Sequence, residues 1–454
     1  MSPAARPRSH AAMRSANLSL LLRDLADHGP STRANLAQRT GLSKAAVTSL
    51  VTDLSERGLV REGPTQRQGG VGRPGTALHL DPTRVAGIGM DLAADQLTVC
   101  LQDLGGGVRF TTARPTPFIA GGKRGRDAAA QGADGQPAAD AEPARTYPAA
   151  TVLDLAAQLI CEAQQVAEAA GLWVAGVGVA APGPIDEQSA TVRFASNLGW
   201  QQVPLAAELD QRLMGEELPV AVQNDAKLSA LAAAPRLARR GVADLIYLTG
   251  DVGVGAGIIV GGNLLRGFSG SSGEVGHISL GAPTPTAPLR ACRCGRRGCW
   301  ETLVGLEAVL DLLPAEDPGR TADWSMARRL ARLRELAAAR EPAITEGMAQ
   351  LTTDLARGLG VLTDVLNPQV VILGGAFGEL AELLVSPVQK ALDARLLDPA
   401  GRVEVLGSWL GLQAAARGGA TLALQRVLED PLRVPVLSPP ASSARPGPDP
   451  AAAG

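Results

Sequence analysis

Four strand-length runs of apolar residues each stop at glycine, proline or a polar pair, and this alternation limits the possible folds more than any other feature. Residues 173–180 end in Ala181-Pro182-Gly183-Pro184, and residues 219–223 end in Asn224-Asp225. Residues 245–249 run into Gly250-Asp251-Val252-Gly253-Val254-Gly255-Ala256-Gly257, and residues 370–373 end in Gly374-Gly375. Helical spacing appears elsewhere, as at Val152, Leu155, Leu159 and Val166. Buried strands alternating with helices predict an α/β class. Strand ends that turn polar or glycine-rich predict a ligand cleft beside them. With 454 residues, 45% hydrophobic and 19% charged, the chain can bury cores for two or three domains. A wholly disordered chain is excluded.

The first 80 residues follow a different pattern. Leu18, Leu21, Leu22 and Leu25 recur at helical spacing until Gly29-Pro30. Ser31 is the expected cap of a second helix carrying Leu36 and Ala37, and Ser43 the expected cap of a third after Gly41. The third helix turns Ala46, Val47, Leu50, Val51 and Leu54 inward and leaves Lys44, Ala45, Thr48, Ser49 and Thr52 outside. Helix, glycine-containing turn and helix make a helix-turn-helix, whose second helix enters a major groove. Residues 59–61 and 77–80 read as strands around a basic, glycine-rich hairpin, the wing of a winged helix. Arg67 and Arg73 in that wing suit phosphate or a minor groove. Charge agrees: residues 1–80 carry 11 Lys/Arg against five Asp/Glu, and the remainder 32 against 40. The expected partner is double-stranded DNA, met by Ser43, Lys44, Thr48, Ser49, Arg67 and Arg73. A plain three-helix protein-contact module leaves the basic wing unexplained. Aromatic residues are only 3%, which argues against a stacking platform for single strands.

Five cysteines in a chain this long form no disulfide framework. Three of them fall in Cys292-Arg293-Cys294-Gly295-Arg296-Arg297-Gly298-Cys299, fourteen residues after Glu274-Val275-Gly276-His277. His277, Cys292, Cys294 and Cys299 make a closed Cys₃His set, the ligand count of a structural zinc site. No position is left open for metal catalysis. Cys100 and Cys161 sit in apolar patterns and read as core. The cysteine usage, and the lack of a long apolar segment or a secretory leader pattern, predict a cytoplasmic protein without membrane attachment.

The order Pro-Gly-Pro-Ile-Asp (182–186), Asn-Leu-Gly-Trp (197–200), Gln-Asn-Asp-Ala (223–226), a glycine-rich loop, Glu-Val-Gly-His (274–277), the cysteine cluster with Trp300-Glu301, and Asn-Pro-Gln-Val-Val-Ile-Leu-Gly-Gly (367–375) resembles the ROK family of sugar kinases and sugar-responsive repressors. The resemblance spans roughly 83–432 and implies a two-lobed, actin-like sugar kinase body. With the winged helix in front, the chain resembles the repressor branch. The family's zinc ligands fall on His277, Cys292, Cys294 and Cys299. Its sugar-contacting residues fall on Asn224, Asp225, Glu274, His277 and Glu301, with Gly183 and Ser196 from the stretch before. Carboxylates and an amide suit vicinal hydroxyls, each of which both donates and accepts. His277 has two ring nitrogens, one for metal and one for a hydroxyl.

The implied layout is a winged helix over 1–80, a first lobe over 81–206 with an unstructured insertion at 119–147, a second lobe over 207–436 whose C-terminal helix packs on the first lobe, and a disordered tail over 437–454. A family kinase uses the counterpart of Asp225 as base and follows its first strand with two glycines and a threonine that cradle phosphate. Here that place reads Asp91-Leu92-Ala93-Ala94-Asp95-Gln96. Extra Cβ atoms and a carboxylate oppose phosphate there. The expectation is therefore a sugar-responsive regulator that is not an enzyme. It would act as a homodimer, or dimer of dimers, on an operator of carbohydrate genes. An ATP-dependent, glucokinase-like sugar kinase with an added DNA-binding domain is the first alternative, and a regulator with a decayed pocket the second.

Overall fold

The computed structural model describes residues 10–66, 75–120, 145–213, 218–280, 289–320, 324–397 and 401–437. The chain divides into two compact units, residues 1–84 with 427–454, and residues 85–426.

In the first unit, helices α1 (His10–His28), α2 (Arg33–Thr40) and α3 (Lys44–Glu56) surround a core of Leu18, Leu21, Leu22, Leu36, Val47, Leu50 and Leu54. Strands β1 (Ser31–Thr32), β2 (Val60–Gln66) and β3 (Gly75–Leu80) form an antiparallel sheet in the order β1-β3-β2. This is the winged-helix arrangement that the leucine spacing predicts. The expected cap of α2 shifts by one residue. Thr32 Oγ1 accepts from Asn35 N at 3.3 Å, while Ser31 Oγ accepts from Arg39. Asp53, on the inner side of α3, accepts from Arg14 Nε at 3.0 Å and Arg57 Nε at 2.9 Å.

The sequence layout assigned residues up to 436 to the body, whereas those from 427 onward join the first unit. Val427, Pro431 and Val434 are buried in this short segment, and polar bonds tie it down. Ser19 donates to the Leu428 carbonyl, Ser15 to Asp430, Arg57 to the Val434 carbonyl, and Leu437 N to the Glu56 carbonyl.

The second unit holds two five-stranded sheets. The first comprises β4 (Val85–Leu92), β5 (Gln96–Asp103), β6 (Val108–Pro115), β9 (Trp173–Ala181) and β13 (Val220–Asn224), in the order β13-β9-β4-β5-β6. Strands β13, β9 and β4 run parallel. Helix α4 (Ala149–Ala169) buries Val152, Leu153, Leu159 and Ile160 in the same core. Two-residue strands β7 (Ile119–Ala120) and β8 (Arg145–Thr146) pair at the base of the expected insertion. Residues 121–144 lie outside the described residues. Tyr147, placed in the insertion by composition, is instead buried in the core, and its carbonyl accepts from Trp200 Nε1 at 2.8 Å. A small sheet of β10 (Ile185–Asp186), β11 (Thr191–Ala195) and β12 (Trp200–Val203) leads into α5 (Leu205–Arg212).

The lobe boundary also moves. The sequence layout placed it at 206/207, but α5 is a crossover that returns β13 to the first sheet, with Asn224 opposite Ala181. The change of sheet therefore comes after Asn224. Helix α6 (Asp225–Ala238) leads on to β14 (Leu245–Gly250), β15 (Val254–Val260), β16 (Asn263–Leu264), β17 (Val370–Gly375) and β18 (Glu404–Gly407), ordered β16-β15-β14-β17-β18. Helices α7 (Glu301–Val304), α8 (Leu306–Leu310), α9 (Met326–Ala338), α10 (Pro342–Leu366), α11 (Ala376–Glu379) and α12 (Ala381–Asp393) complete that half. Much of its core packs around Trp300, Leu355, Leu359 and Phe377.

The final helix, α13 (Ala414–Glu429), lies against the first sheet. Gly89 and Gly178 let it approach, because a Cβ at either would strike a backbone carbonyl, of Ala416 or Gly419. The glycine run 250–257 resolves into a tight turn at 251–253 and the start of β15, where Gly257 faces Ala226 of α6. Half of that run therefore serves helix packing.

Candidate functional site

Two surfaces carry the chemistry. In the first unit, Ser43 Oγ caps α3 by accepting from Ala46 N at 3.2 Å. Ser43, Lys44, Thr48, Ser49 and Thr52 are all exposed along that helix. Thr48 Oγ1 bonds back to the Lys44 carbonyl at 2.9 Å, and Thr52 Oγ1 to the Thr48 carbonyl at 3.1 Å. Such bonds are exchangeable for an outside acceptor. Arg67 and Arg73 lie outside the described residues.

In the second unit, every residue that the resemblance assigned to sugar lines one cleft: Gly183, Ser196, Asn224, Asp225, Glu274, His277 and Glu301. The strand-to-helix junction explains the first pair. Asn224 ends β13 and caps α6, its Oδ1 accepting from Lys227 N at 3.2 Å and its Nδ2 donating to the Gly183 carbonyl at 3.2 Å. Gly183 sits at φ +80°, and a side chain there would collide with the Phe194 carbonyl. Asp225 opens the helix, where the exposed N–H groups favour a carboxylate. Its own Oδ1 accepts from Ala226 N at 2.7 Å. Burial still prevails, with Glu274 adding repulsion, and the Asp225 carboxyl is pushed up to about 7.

The metal cluster forms the neighbouring wall. Its four donor atoms, on His277, Cys292, Cys294 and Cys299, lie within 4.8 Å of one another. A short turn holds them, with Cys292 N donating to the Arg296 carbonyl at 2.8 Å and Ser279 bridging to Cys299. Cys294 and Cys299 Sγ are 3.7 Å apart, and Cys292 Sγ is 3.7 Å from His277 Nδ1. Burial raises the Cys294 thiol, yet hydrogen bonds from Arg296 outweigh it and bring the thiol down to about 6. A thiolate is thus favoured at Cys294, whereas burial pushes the Cys292 and Cys299 thiols up. The donor set fits one metal ion. His277 joins the two walls: Nδ1 faces the cysteines and lies 3.3 Å from Glu301 Oε1, while Nε2 lies 4.0 Å from Glu274 Oε2.

Two features escaped the sequence reading: Lys227 beside the cleft, and the convergence of its aspartates. Lys227 is 1% exposed, and its Nζ donates to the Gly270 carbonyl at 2.7 Å, tying a loop to α6. The signal was its place three residues after the cap Asn224, on the inward side of the helix. Asp91, Asp95 and Asp251 line the same cleft as Asp225. Asp251 accepts from Thr249 Oγ1 at 2.9 Å. The turn after β4 is held from the side, since Thr116 Oγ1 donates to the Ala93 carbonyl at 2.6 Å and Thr116 N to the Asp95 carbonyl at 3.1 Å.

Comparison with known proteins follows the same division. Residues 119–426 match the model of the ROK family, and residues 19–69 match that of the MarR family. A xylose repressor of Caldicellulosiruptor bescii is 29% identical over 395 residues, 85% of this chain and 90% of its own. A glucokinase of Halalkalibacterium halodurans is 30% identical over 274 residues, 55% of this chain and 76% of its own. Among solved structures, a ROK family transcriptional regulator described as a homologue of the E. coli MLC protein aligns with TM-score 0.67 over 92% of this chain and 97% of its own, at 22% identity. The match at that identity speaks for the fold: a winged helix followed by an actin-like body. The family model covers well over half of the sequence, and the chain belongs to the ROK family.

Proposed function

We propose that this protein is a sugar-responsive, DNA-binding transcriptional repressor of carbohydrate genes, working in the cytoplasm as a homodimer or dimer of dimers. One observation carries the reading. A single chain combines a capped helix with an exposed polar face and a cleft where amide, carboxylate and imidazole groups converge. Ser43, Lys44, Thr48 and Ser49, with Arg67 and Arg73 of the wing, would meet DNA. Gly183, Asn224, Asp225, Glu274, His277 and Glu301 would hold the sugar. A single winged helix reads too few base pairs for tight binding, which is the reason for two copies on a near-palindromic operator. Sugar must bind the two states of the repressor unequally to release it from DNA.

The metal is zinc in this reading. Zinc bound to thiolates at about 2.3 Å sets tetrahedral edges of roughly 3.8 Å, close to the 3.7 Å separations above. When bound, it would cross-link the segment and fix the His277 ring, leaving Nε2 for a hydroxyl.

Kinase chemistry is disfavoured by the turn at 91–96. Phosphoryl transfer depends on positioning and charge stabilisation. Ala93 and Ala94 stand where close backbone approach is needed, and Asp95 adds negative charge.

The test is Asp225→Ala in an operator-binding assay on a fragment of the protein's own promoter region, with xylose and glucose as the first sugars. The variant should bind DNA as the parent does and ignore the sugar. A variant still released by sugar removes Asp225 from the site. Turnover above about 1 per second with ATP and any sugar of the panel overturns the non-enzyme reading.

A further inference from the structure

Asp91 is the least provided-for group in the cleft. It is 8% exposed, yet its side chain has no hydrogen-bond donor among the described residues. The other three cleft aspartates each have at least one. Asp225 is served by Ala226 N and Asp251 by the Thr249 hydroxyl, while Asp95 takes its own backbone N–H and that of Gln96. What surrounds Asp91 is more carboxylate: burial raises it first, and then repulsion from Asp225, Asp251 and Asp95. Arg293 is the one Lys or Arg among the described lining residues, and it is engaged with Glu307; Arg329, from outside the lining, offsets Asp95 but not Asp91. A buried carboxylate in such company needs either a proton or a cation.

A bare metal ion fits poorly. Among the described residues, the only group of His, Cys, Asp and Glu side chains compact enough for one is the His277–Cys299 cluster. An ammonium group on a ligand suits carboxylates that do not close on a single ion, since each of its three N–H donors can take a separate acceptor. A phosphate beside Asp91 meets mostly like charge.

We propose that the effector is an unphosphorylated amino sugar whose protonated amine is received by Asp91 together with Asp95, Asp225 and Asp251. This rests on the sugar-receptor reading above and sets its ligand class. The amine replaces protons that the cluster otherwise holds, so binding brings neutralisation without a metal. The cleft thereby ranks ligands by charge: amino sugar first, the parent neutral sugar second, the sugar phosphate last.

The experiment compares each hexose with its own derivatives on the full-length, metal-loaded protein. Glucose, galactose and mannose are titrated calorimetrically beside glucosamine, galactosamine, mannosamine and the three 6-phosphates. A charge-assisted hydrogen bond makes at least one amine about tenfold tighter than its parent, with the phosphate weaker than either. Asp91→Asn should erase the advantage of the amine while keeping parent-sugar affinity within about threefold. Asp95→Asn is the second variant should Asp91→Asn not fold, judged by thermal melting and operator binding, and it should shrink the advantage. The proposal is overturned if a 6-phosphate binds as tightly as its parent, or if no amine exceeds its parent, or if the advantage survives in the variants. If no compound of the panel binds, the sugar-receptor reading itself fails.

Discussion

Replacing Asp251 by Asn should make the body of the protein more stable at pH 8, an unusual outcome for a polar substitution in a buried site. Burial first, then repulsion from Asp225 and Asp95, push the Asp251 carboxyl up to about 7, against an ordinary value of 3.8. The folded state therefore holds a proton that the unfolded chain releases anywhere between pH 3.8 and about 7. Stability of the parent falls as pH rises through that window and levels off above it. Three pH units correspond to about 4 kcal/mol. Part of that is mutual repulsion, which relaxes when a neighbour takes the proton instead, so about 1–3 kcal/mol is expected at pH 8. Asn is nearly isosteric, and its Oδ1 can keep the 2.9 Å bond from Thr249. All five tryptophans lie in residues 85–426, so urea unfolding followed by tryptophan fluorescence reports this unit alone. The curves of parent and variant should separate at pH 8, narrow at pH 6 and meet near pH 4. A variant no more stable than the parent at pH 8, or one whose gain is independent of pH, refutes the electrostatic argument.

Cys294→Ser, or removal of metal with a chelator, should lower the melting temperature and blunt the sugar response together; a protein unchanged in both has no structural metal. Lys44→Ala should weaken operator and non-specific DNA alike and reduce the slope of log affinity against log salt by about one, whereas an unchanged slope removes Lys44 from the phosphate contacts. Gly178→Val should cost about 3 kcal/mol or prevent folding, because the new side chain runs into the Gly419 backbone of α13. A near-neutral result in urea unfolding would mean that the helix sits further from the sheet.

Much of the fold is legible in the sequence because its strands are buried on both faces. Such strands read as unbroken apolar runs, as in β9, β14 and β17, and their boundaries come within a residue or two of expectation. The metal ligands are legible for another reason: three of the four are local, set by the turn between Cys292 and Cys299 and by its bridge to Ser279, two residues after the fourth ligand. Where the reading failed, the deciding partner was distant. The return of β13 to the first sheet depends on its pairing with β9 more than forty residues earlier. The segment after Val427 joins the first unit through Ser15, Ser19 and Arg57, which look like ordinary surface residues from sequence.

The aspartates are the sharpest case. Read singly, Asp91 and Asp251 are a strand end and a loop residue, each consistent with a solvated charge, and Asp95 is a turn carboxylate set only against phosphate. They converge because β4, β14 and α6 present their ends to one cleft. Convergence and burial change the chemistry from three separate hydrated anions to a group whose members all hold their protons above the ordinary carboxylate range. A motif records which residues stand in order. It does not record that a turn after one strand and a loop after another, some 160 residues apart, line the same cleft. The glycine turn at 251–253 and the carboxylates of Asp91, Asp95 and Asp225 line that one cleft although no motif joins them, which is why charge there has to be read from the fold and not from the order of residues.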